Sequence, residues 1–386
     1  MATGNELFKM PPLRNEDYIM GKWCKPPGST KTIVVIIACI FVAAIACYVF
    51  IAFAAQSSAF SFNSPITNIV FSQDDNKLAI AEMSGEIHVF DVATRSSICH
   101  IAQESNSINT VTFVRPDVLG IIIGHDQGDL KVQLWDFHAG TAKICFSRKL
   151  GEAVYLAVFS RDGSQLVTLS LETPCGTKSI LSIIDVEKDK VVRSANIPSV
   201  PGLGGLSPDG KYFATVDTGG AITVWRLQDL TRMTQLDGGL GLKCLALASG
   251  GKSVALGYGD GIIRLIRTEA ANKNVSIQCA CGEDVRVVSF SADASVLACG
   301  VAGPNVYLFD VQQQPTLLKT FTGRGFATHQ VEFSHNDKLL AVGAWRGRII
   351  DRKLLGTLKL IDISTELTAG SSIFRRHSTD YGKIGK

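Results

Sequence analysis

From residue 64 onward the sequence repeats itself seven times, with a period of about 43 residues. Each repeat begins with a short apolar segment that ends in Phe or Leu, as in Ile69-Val70-Phe71, and a turn rich in Asp and Gly often follows, as at Asp162-Gly163. A later segment ends in an aromatic or aliphatic residue followed by a charged one. These endings are Phe90-Asp91, Trp135-Asp136, Ile184-Asp185, Trp225-Arg226, Ile266-Arg267, Phe309-Asp310 and Ile361-Asp362. Short apolar runs bounded by turn residues predict four β-strands in each repeat.

Such a repeat cannot bury both faces of its own small sheet, so neighbouring sheets must pack around a common axis. The pattern resembles the WD40 family, because Trp135-Asp136 is the signature dipeptide of that family and the period lies in its range. The Gly-His pair of the family does not precede the first strands, and Gly124-His125 falls elsewhere in its repeat. The resemblance implies an all-β fold, a seven-bladed WD40-like β-propeller. A quinoprotein-like propeller is the minor alternative.

The seventh repeat shows three strands, so its fourth must come from outside the repeat. Either residues 59–63 or residues 371–375 could supply it. The first choice would join the two ends of the propeller and protect its open edges.

An uncharged segment precedes the repeats. Thr32–Ala55 contains no Asp, Glu, Lys, Arg or Pro, and its 24 residues would form a helix about 36 Å long. That length can cross the hydrocarbon core of a bilayer, which predicts one transmembrane α-helix. The alternative is a cleaved signal peptide, whose apolar region is shorter and closer to the N-terminus. Cys39, Ala43 and Cys47 repeat every four residues and predict a face on which another helix could pack.

Basic residues lie on one side of this segment. Lys9, Arg14, Lys22, Lys25 and Lys31 precede it, and no Lys or Arg follows until Lys77. This asymmetry predicts a single-pass integral membrane protein with its N-terminus on the cytoplasmic, matrix or stromal side and the propeller on the opposite side. An organellar membrane, such as the mitochondrial one, and an endomembrane both fit. The scattered cysteines argue weakly for the reverse orientation.

These patterns divide the chain into four regions. We expect an extended N-terminal arm at residues 1–31, the transmembrane helix at 32–55, the propeller at 56–365 and a basic C-terminal tail at 366–386. Asn274-Val275-Ser276 is a glycosylation sequon that matters only in the secretory pathway.

We find no motif of an enzyme. The chain lacks a Walker loop, a Gly-x-Ser-x-Gly elbow and a His-Glu-x-x-His sequence. The segment His125–Asp129 and the pair Cys279 and Cys281 fall short of a metal-ligand pattern. A net charge of +3 argues against nucleic acid as a partner. We therefore expect no catalytic residues, no bound metal and no cofactor.

Insertions in a propeller collect in loops, and such loops often bind partners. The loop between the second and third strands of repeat seven, at about 345–356, carries Arg346, Arg348, Arg352 and Lys353. The tail adds Arg375 and Arg376. We expect these basic residues to contact an acidic protein surface or anionic lipids.

The leading hypothesis is a non-catalytic protein–protein interaction scaffold, an accessory subunit of a larger membrane protein complex, held in the bilayer through residues 32–55. The alternatives are a propeller-type regulator that resembles a small-GTPase exchange factor, and a propeller enzyme with acids or histidines in its channel.

Overall fold

The predicted repeats form a seven-bladed β-propeller in the computed structural model, in which every blade is a four-stranded antiparallel sheet. The structure describes residues 60–102, 108–124, 130–138, 142–150, 154–172, 176–268, 275–278, 282–322, 327–347 and 354–364.

The described residues form 28 strands, β1–β28, and one short 3-10 turn at Ser249–Gly251. Blade 1 consists of β2 (Ile66–Phe71), β3 (Lys77–Glu82), β4 (Glu86–Asp91) and β5 (Ser97–Ala102). Blade 2 consists of β6 (Ile108–Arg115), β7 (Val118–Gly124), β8 (Leu130–Asp136) and β9 (Lys143–Lys149). Blade 3 consists of β10 (Val154–Phe159), β11 (Gln165–Leu171), β12 (Ser179–Asp185) and β13 (Lys190–Ile197). Blade 4 consists of β14 (Pro201–Leu206), β15 (Tyr212–Asp217), β16 (Ala221–Arg226) and β17 (Thr231–Asp237).

Three blades complete the ring. Blade 5 consists of β18 (Leu242–Leu247), β19 (Ser253–Tyr258), β20 (Ile262–Arg267) and β21 (Val275–Gln278). Blade 6 consists of β22 (Val285–Phe290), β23 (Val296–Val301), β24 (Asn305–Asp310) and β25 (Thr316–Thr322). Blade 7 consists of β26 (Ala327–Phe333), β27 (Leu339–Gly347), β28 (Leu354–Asp362) and β1 (Phe60–Phe62). The third strand of every blade ends at the residue that the repeat pattern predicts.

Burial follows the order of the strands within a blade. Second strands are buried on both faces, as in β3 and β23, because a blade packs on each side of them. Their sequences are therefore nearly continuous apolar runs rather than alternating ones. Outer strands face solvent, and β13 is exposed over most of its length.

Seven apolar clusters hold the ring together, one between each pair of neighbouring blades. Phe113 of blade 2, for example, packs with Ile87 of blade 1, and Phe333 of blade 7 packs with Leu308 of blade 6. Each fully buried side chain of this size contributes about 1.5–3 kcal/mol. Cys99 and Cys299 lie in two of these clusters, where cysteine behaves as a small apolar residue.

The first strand of the chain closes the ring. β1 pairs with β28 in the register Phe60↔Leu358 and Phe62↔Gly356. Phe62 is buried against Ile69 and Leu358, in the cluster that joins blade 7 to blade 1. Of the two segments that the sequence offered for this role, the one at 59–63 therefore supplies the fourth strand of blade 7.

The propeller has two faces that differ in their connections. On the turn face lie the turns between first and second strands, such as 72–76 and 160–164. On the opposite face, where the first strands begin, all seven first strands carry a β-bulge near their start, so we name it the bulge face. Strands β27 and β28 pair as far as Gly347↔Leu354 at this face, so strand residues take up both ends of the loop predicted at about 345–356. Residues 348–353 of that loop lie outside the described residues.

The predicted transmembrane helix at 32–55, the arm and the tail lie outside the described residues. Within the residues that the structure describes, no helix combines the length and the apolar character that crossing a bilayer requires.

Candidate functional site

The first strands of the blades surround a central channel with a cavity of about 300 Å³. Most of the lining is apolar or small, for example Val70, Thr112, Val158 and Ser289. Among the described residues that line the cavity, Glu332 carries the only carboxyl group. A cavity in which a few polar and charged groups converge is a candidate small-molecule site.

Glu332 lies on β26, at the residue before the buried Phe333. Its side chain keeps some accessible surface toward the channel and is otherwise packed by protein atoms. Burial raises the pKa of Glu332 to about 7, and the guanidinium of Arg161 lowers it only in part. Since a carboxyl group with such a pKa exchanges protons near neutrality, Glu332 has the character of a functional-site residue.

Arg161 closes the turn-face end of this cavity. It belongs to the turn between β10 and β11, and its Nη2 donates a hydrogen bond of 3.0 Å to the carbonyl of Phe333 in blade 7. Its Nε is buried and has no hydrogen-bond partner among the described residues. Arg161 lines both the channel cavity and a second pocket of about 280 Å³ on the turn face, so it separates the two.

Carboxylates on the turn face connect neighbouring blades. Asp75 of blade 1 accepts hydrogen bonds from the backbone N–H of His335 at 2.7 Å and of Asn336 at 2.9 Å, and from His335 Nδ1 at 3.0 Å. Asp337 of blade 7 accepts in the same way from the backbone of Ala292 and Asp293 in blade 6. Acidic residues in surface turns are ordinarily solvated, but Asp75 is buried.

The bulge face carries a ring of extra residues around the mouth of the channel. The bulged residues are Thr67, Asn109, Tyr155, Gly202, Lys243, Arg286 and His329. Bulges occur next to binding sites because they redirect side chains. Lys243 and Arg286 come from consecutive blades and are exposed, which places two cations at one side of this mouth. Burial, together with Arg286, lowers the pKa of His329.

Exposed apolar residues recur near the start of the outer strands. They are Ile144 on β9, Val191 and Val192 on β13, Met233 on β17, and Leu317 and Leu318 on β25, each between 37% and 56% exposed. Val192, Met233 and Leu318 are the extra residues of bulges at the same place in three blades. We call Ile144, Val191, Val192 and Met233, which lie on consecutive blades 2–4, the outer apolar row. Exposed apolar side chains that recur at matching positions of neighbouring blades are candidates for an interaction surface.

Most of the site residues predicted from the sequence lie outside the described residues. These are Cys39, Ala43, Cys47, Arg348, Arg352, Lys353, Arg375 and Arg376, together with the segment His125–Asp129 and the pair Cys279 and Cys281. Arg346 pairs through its backbone with Leu355 on the bulge face, and the structure does not describe its side chain. The predicted basic contact surface therefore stays a prediction.

Sequence reasoning missed the charged residues of the channel. Glu332 precedes the Phe that ends its strand, and the matching residues of the other repeats are Val70, Thr112, Val158, Gly205, Ala246 and Ser289. A single acid at a position that is otherwise small and uncharged was a usable signal. Arg161 gave no such signal, because its contact with Phe333 joins residues 172 positions apart.

No protein-family model matches the chain, and no curated protein matches it.

Proposed function

We propose that this chain is a non-catalytic protein–protein interaction scaffold, an accessory subunit of a larger membrane protein complex. We further propose that it is a WD40 propeller anchored by the segment at 32–55. The uncharged run of 24 residues and its one-sided basic flank support the anchor and a propeller on the far side of the membrane.

The observation that carries the proposal is the outer apolar row. A propeller already buries its apolar surface between blades, so aliphatic side chains left half exposed at matching places in consecutive blades need another partner. The bulges on β13 and β17 interrupt the free backbone edge of these strands. Such bulges discourage pairing with a further strand. The partner is therefore expected to pack against side chains, as protein subunits do in stable interfaces.

Substitutions in the outer apolar row test the proposal. The full-length chain is extracted from its native membrane in a mild detergent, and co-purifying proteins are identified by size analysis and mass spectrometry. We expect Met233→Asp and Val192→Asp to lose a stoichiometric partner that the wild type retains. Gln235→Asp, an exposed position on the same strand as Met233, should retain it. A wild type that is extracted as a monomer would contradict the proposal.

One observation favours a second candidate function, which is binding or conversion of a small molecule in the channel. Glu332 and Arg161 bring opposite charges into a cavity whose other lining residues are uncharged. A ligand with a cationic group would meet Glu332. If such a ligand binds, Glu332→Gln should weaken its binding while leaving co-purification of protein partners unchanged.

A further inference from the structure

A pair of histidines on blade 1 lies next to two carboxylates. His88 on β4 and His100 on β5 are direct cross-strand partners, and their rings stack with centroids 4.7 Å apart. Glu86 precedes His88 by two residues, so the pleat places both on the same face of the sheet. One ligand atom each from Glu86, His88 and His100 lie within 4.8 Å of one another. We propose that these three residues and Glu82 form a zinc-binding site.

Glu82 supplies the second, independent observation. It ends β3, and its side chain is 1% exposed. Its Oε1 lies 2.7 Å from His88 Nε2, whereas its Oε2 is buried without a hydrogen-bond partner among the described residues. A buried carboxylate is unfavourable unless a positive charge and further bonds compensate it. A cation bound to His88 Nε2 would provide that compensation, with Glu82 as a further ligand.

The geometry around His88 Nε2 is close to that of a loaded site. Glu82 Oε1 lies at 2.7 Å from this nitrogen and Glu86 Oε2 at 3.9 Å. Ligand atoms about 2.0–2.2 Å from a tetrahedral zinc are about 3.3–3.6 Å apart. The first distance therefore has to open by about 0.6–0.9 Å and the second to close by about 0.3–0.6 Å. Glu86 is partly exposed and His100 is exposed, so these two side chains have room to rotate inward.

The donor set selects the metal. Two imidazoles and two carboxylates suit zinc, which takes four nitrogen and oxygen ligands in proteins. Calcium and magnesium prefer oxygen donors alone and six or more ligands. The chemistry therefore points to zinc or a similar borderline divalent ion.

The proposed site lies next to β1, the strand that closes the ring. The ring of Phe62 on β1 lies against that of His88, with centroids 5.4 Å apart. Because metal binding would hold His88 in place, it would also brace the contact that joins blade 7 to blade 1. A ligand that binds only the folded state raises its stability, so zinc should raise the unfolding temperature.

The test is a metal titration of the purified full-length chain after treatment with a chelator. We expect one zinc ion per chain by calorimetry and elemental analysis, a tetrahedral absorption spectrum with Co²⁺, and a higher unfolding temperature with zinc. His100→Ala changes an exposed position, so it should fold, and it should weaken binding by more than about 10-fold. Glu82→Gln should weaken it by about 10–100-fold.

His138→Ala is the matched control, because His138 is an exposed histidine beside one carboxylate, Asp117, at 3.1 Å. It should bind zinc as the wild type does. Absence of zinc binding in the wild type would overturn the proposal. Binding that His100→Ala and Glu82→Gln leave unchanged would overturn it as well, since the metal would then lie elsewhere on the chain.

Discussion

Replacing Glu332 by Gln should change how the stability of the propeller depends on pH. An ordinary glutamate has a pKa of 4.5, and burial in the channel raises that of Glu332 to about 7. Below pH 4.5 the carboxyl group is protonated in both the folded and the unfolded chain. Between pH 4.5 and about 7 only the folded chain keeps the proton, so a rise in pH favours unfolding. Above about pH 7 the carboxyl group is ionised in both states, and the stability that the protonated group contributed is fully lost.

The size of the effect follows from the two pKa values. Each pH unit between the two pKa values corresponds to about 1.36 kcal/mol in the free energy of unfolding. Because water in the channel solvates part of the charge, we expect a total change of about 2–3 kcal/mol. The glutamine keeps the shape of the side chain and carries no charge at any pH. The free energy of unfolding of Glu332→Gln should therefore exceed that of the wild type by about 2–3 kcal/mol more at pH 8 than at pH 4.5.

Urea unfolding of both proteins at pH values from 4.5 to 8, followed by tryptophan fluorescence, measures this difference. Ser289→Ala, at the equivalent position of blade 6, alters the channel lining without removing an acid and should differ from the wild type by the same amount at every pH. If the difference between Glu332→Gln and the wild type is also constant with pH, the carboxyl group does not have the environment described here.

Four further substitutions test the turns and the packing of the ring, each measured as a free energy of unfolding in urea. Asp75→Gly should lower the free energy of unfolding by about 1–3 kcal/mol, because glycine accepts the backbone at φ 59° while the hydrogen bonds to blade 7 are lost. An unchanged free energy of unfolding would show that this contact between blades contributes nothing to stability. Ala294→Gly should stabilise the fold by about 0.5–1 kcal/mol, since alanine at φ 59° is strained. Gly163→Ala should destabilise the fold, because its Cβ would overlap the backbone of Val114. Equal effects of these two would contradict the turn geometry. Because β1 closes the ring, Phe62→Ala should lower the free energy of unfolding by roughly 3–5 kcal/mol. A change near zero would show that β1 does not close the ring.

The sequence predicts the ring of blades well because the pattern recurs in every repeat. Pairs such as Trp135-Asp136 and Phe309-Asp310 mark the ends of β8 and β24, and the same register applies in each blade. The closing strand was harder to predict. Residues 60–62 form only three ladder pairs with β28, and so short a segment has no periodicity of its own.

The charged sites depend on contacts that sequence spacing does not show. His88 and His100 meet only because the β4–β5 register pairs them, and a shift of one residue would turn His100 to the other face of the sheet. Arg161 reaches across the channel from blade 3 to blade 7, which no local pattern predicts. Aligning the seven repeats would have identified Glu332. The equivalent position lies on the first strand of every blade, and it is acidic only in repeat seven.

The most direct test of the scaffold is a photo-crosslinking experiment in the native membrane. A benzophenone amino acid is placed at position 233 in the outer apolar row, and at position 235 on the same strand as a control. We predict that position 233 crosslinks to one defined protein partner and that position 235 does so far less. Crosslinks from position 233 to no protein other than this chain would contradict the scaffold and direct attention to the channel at Glu332.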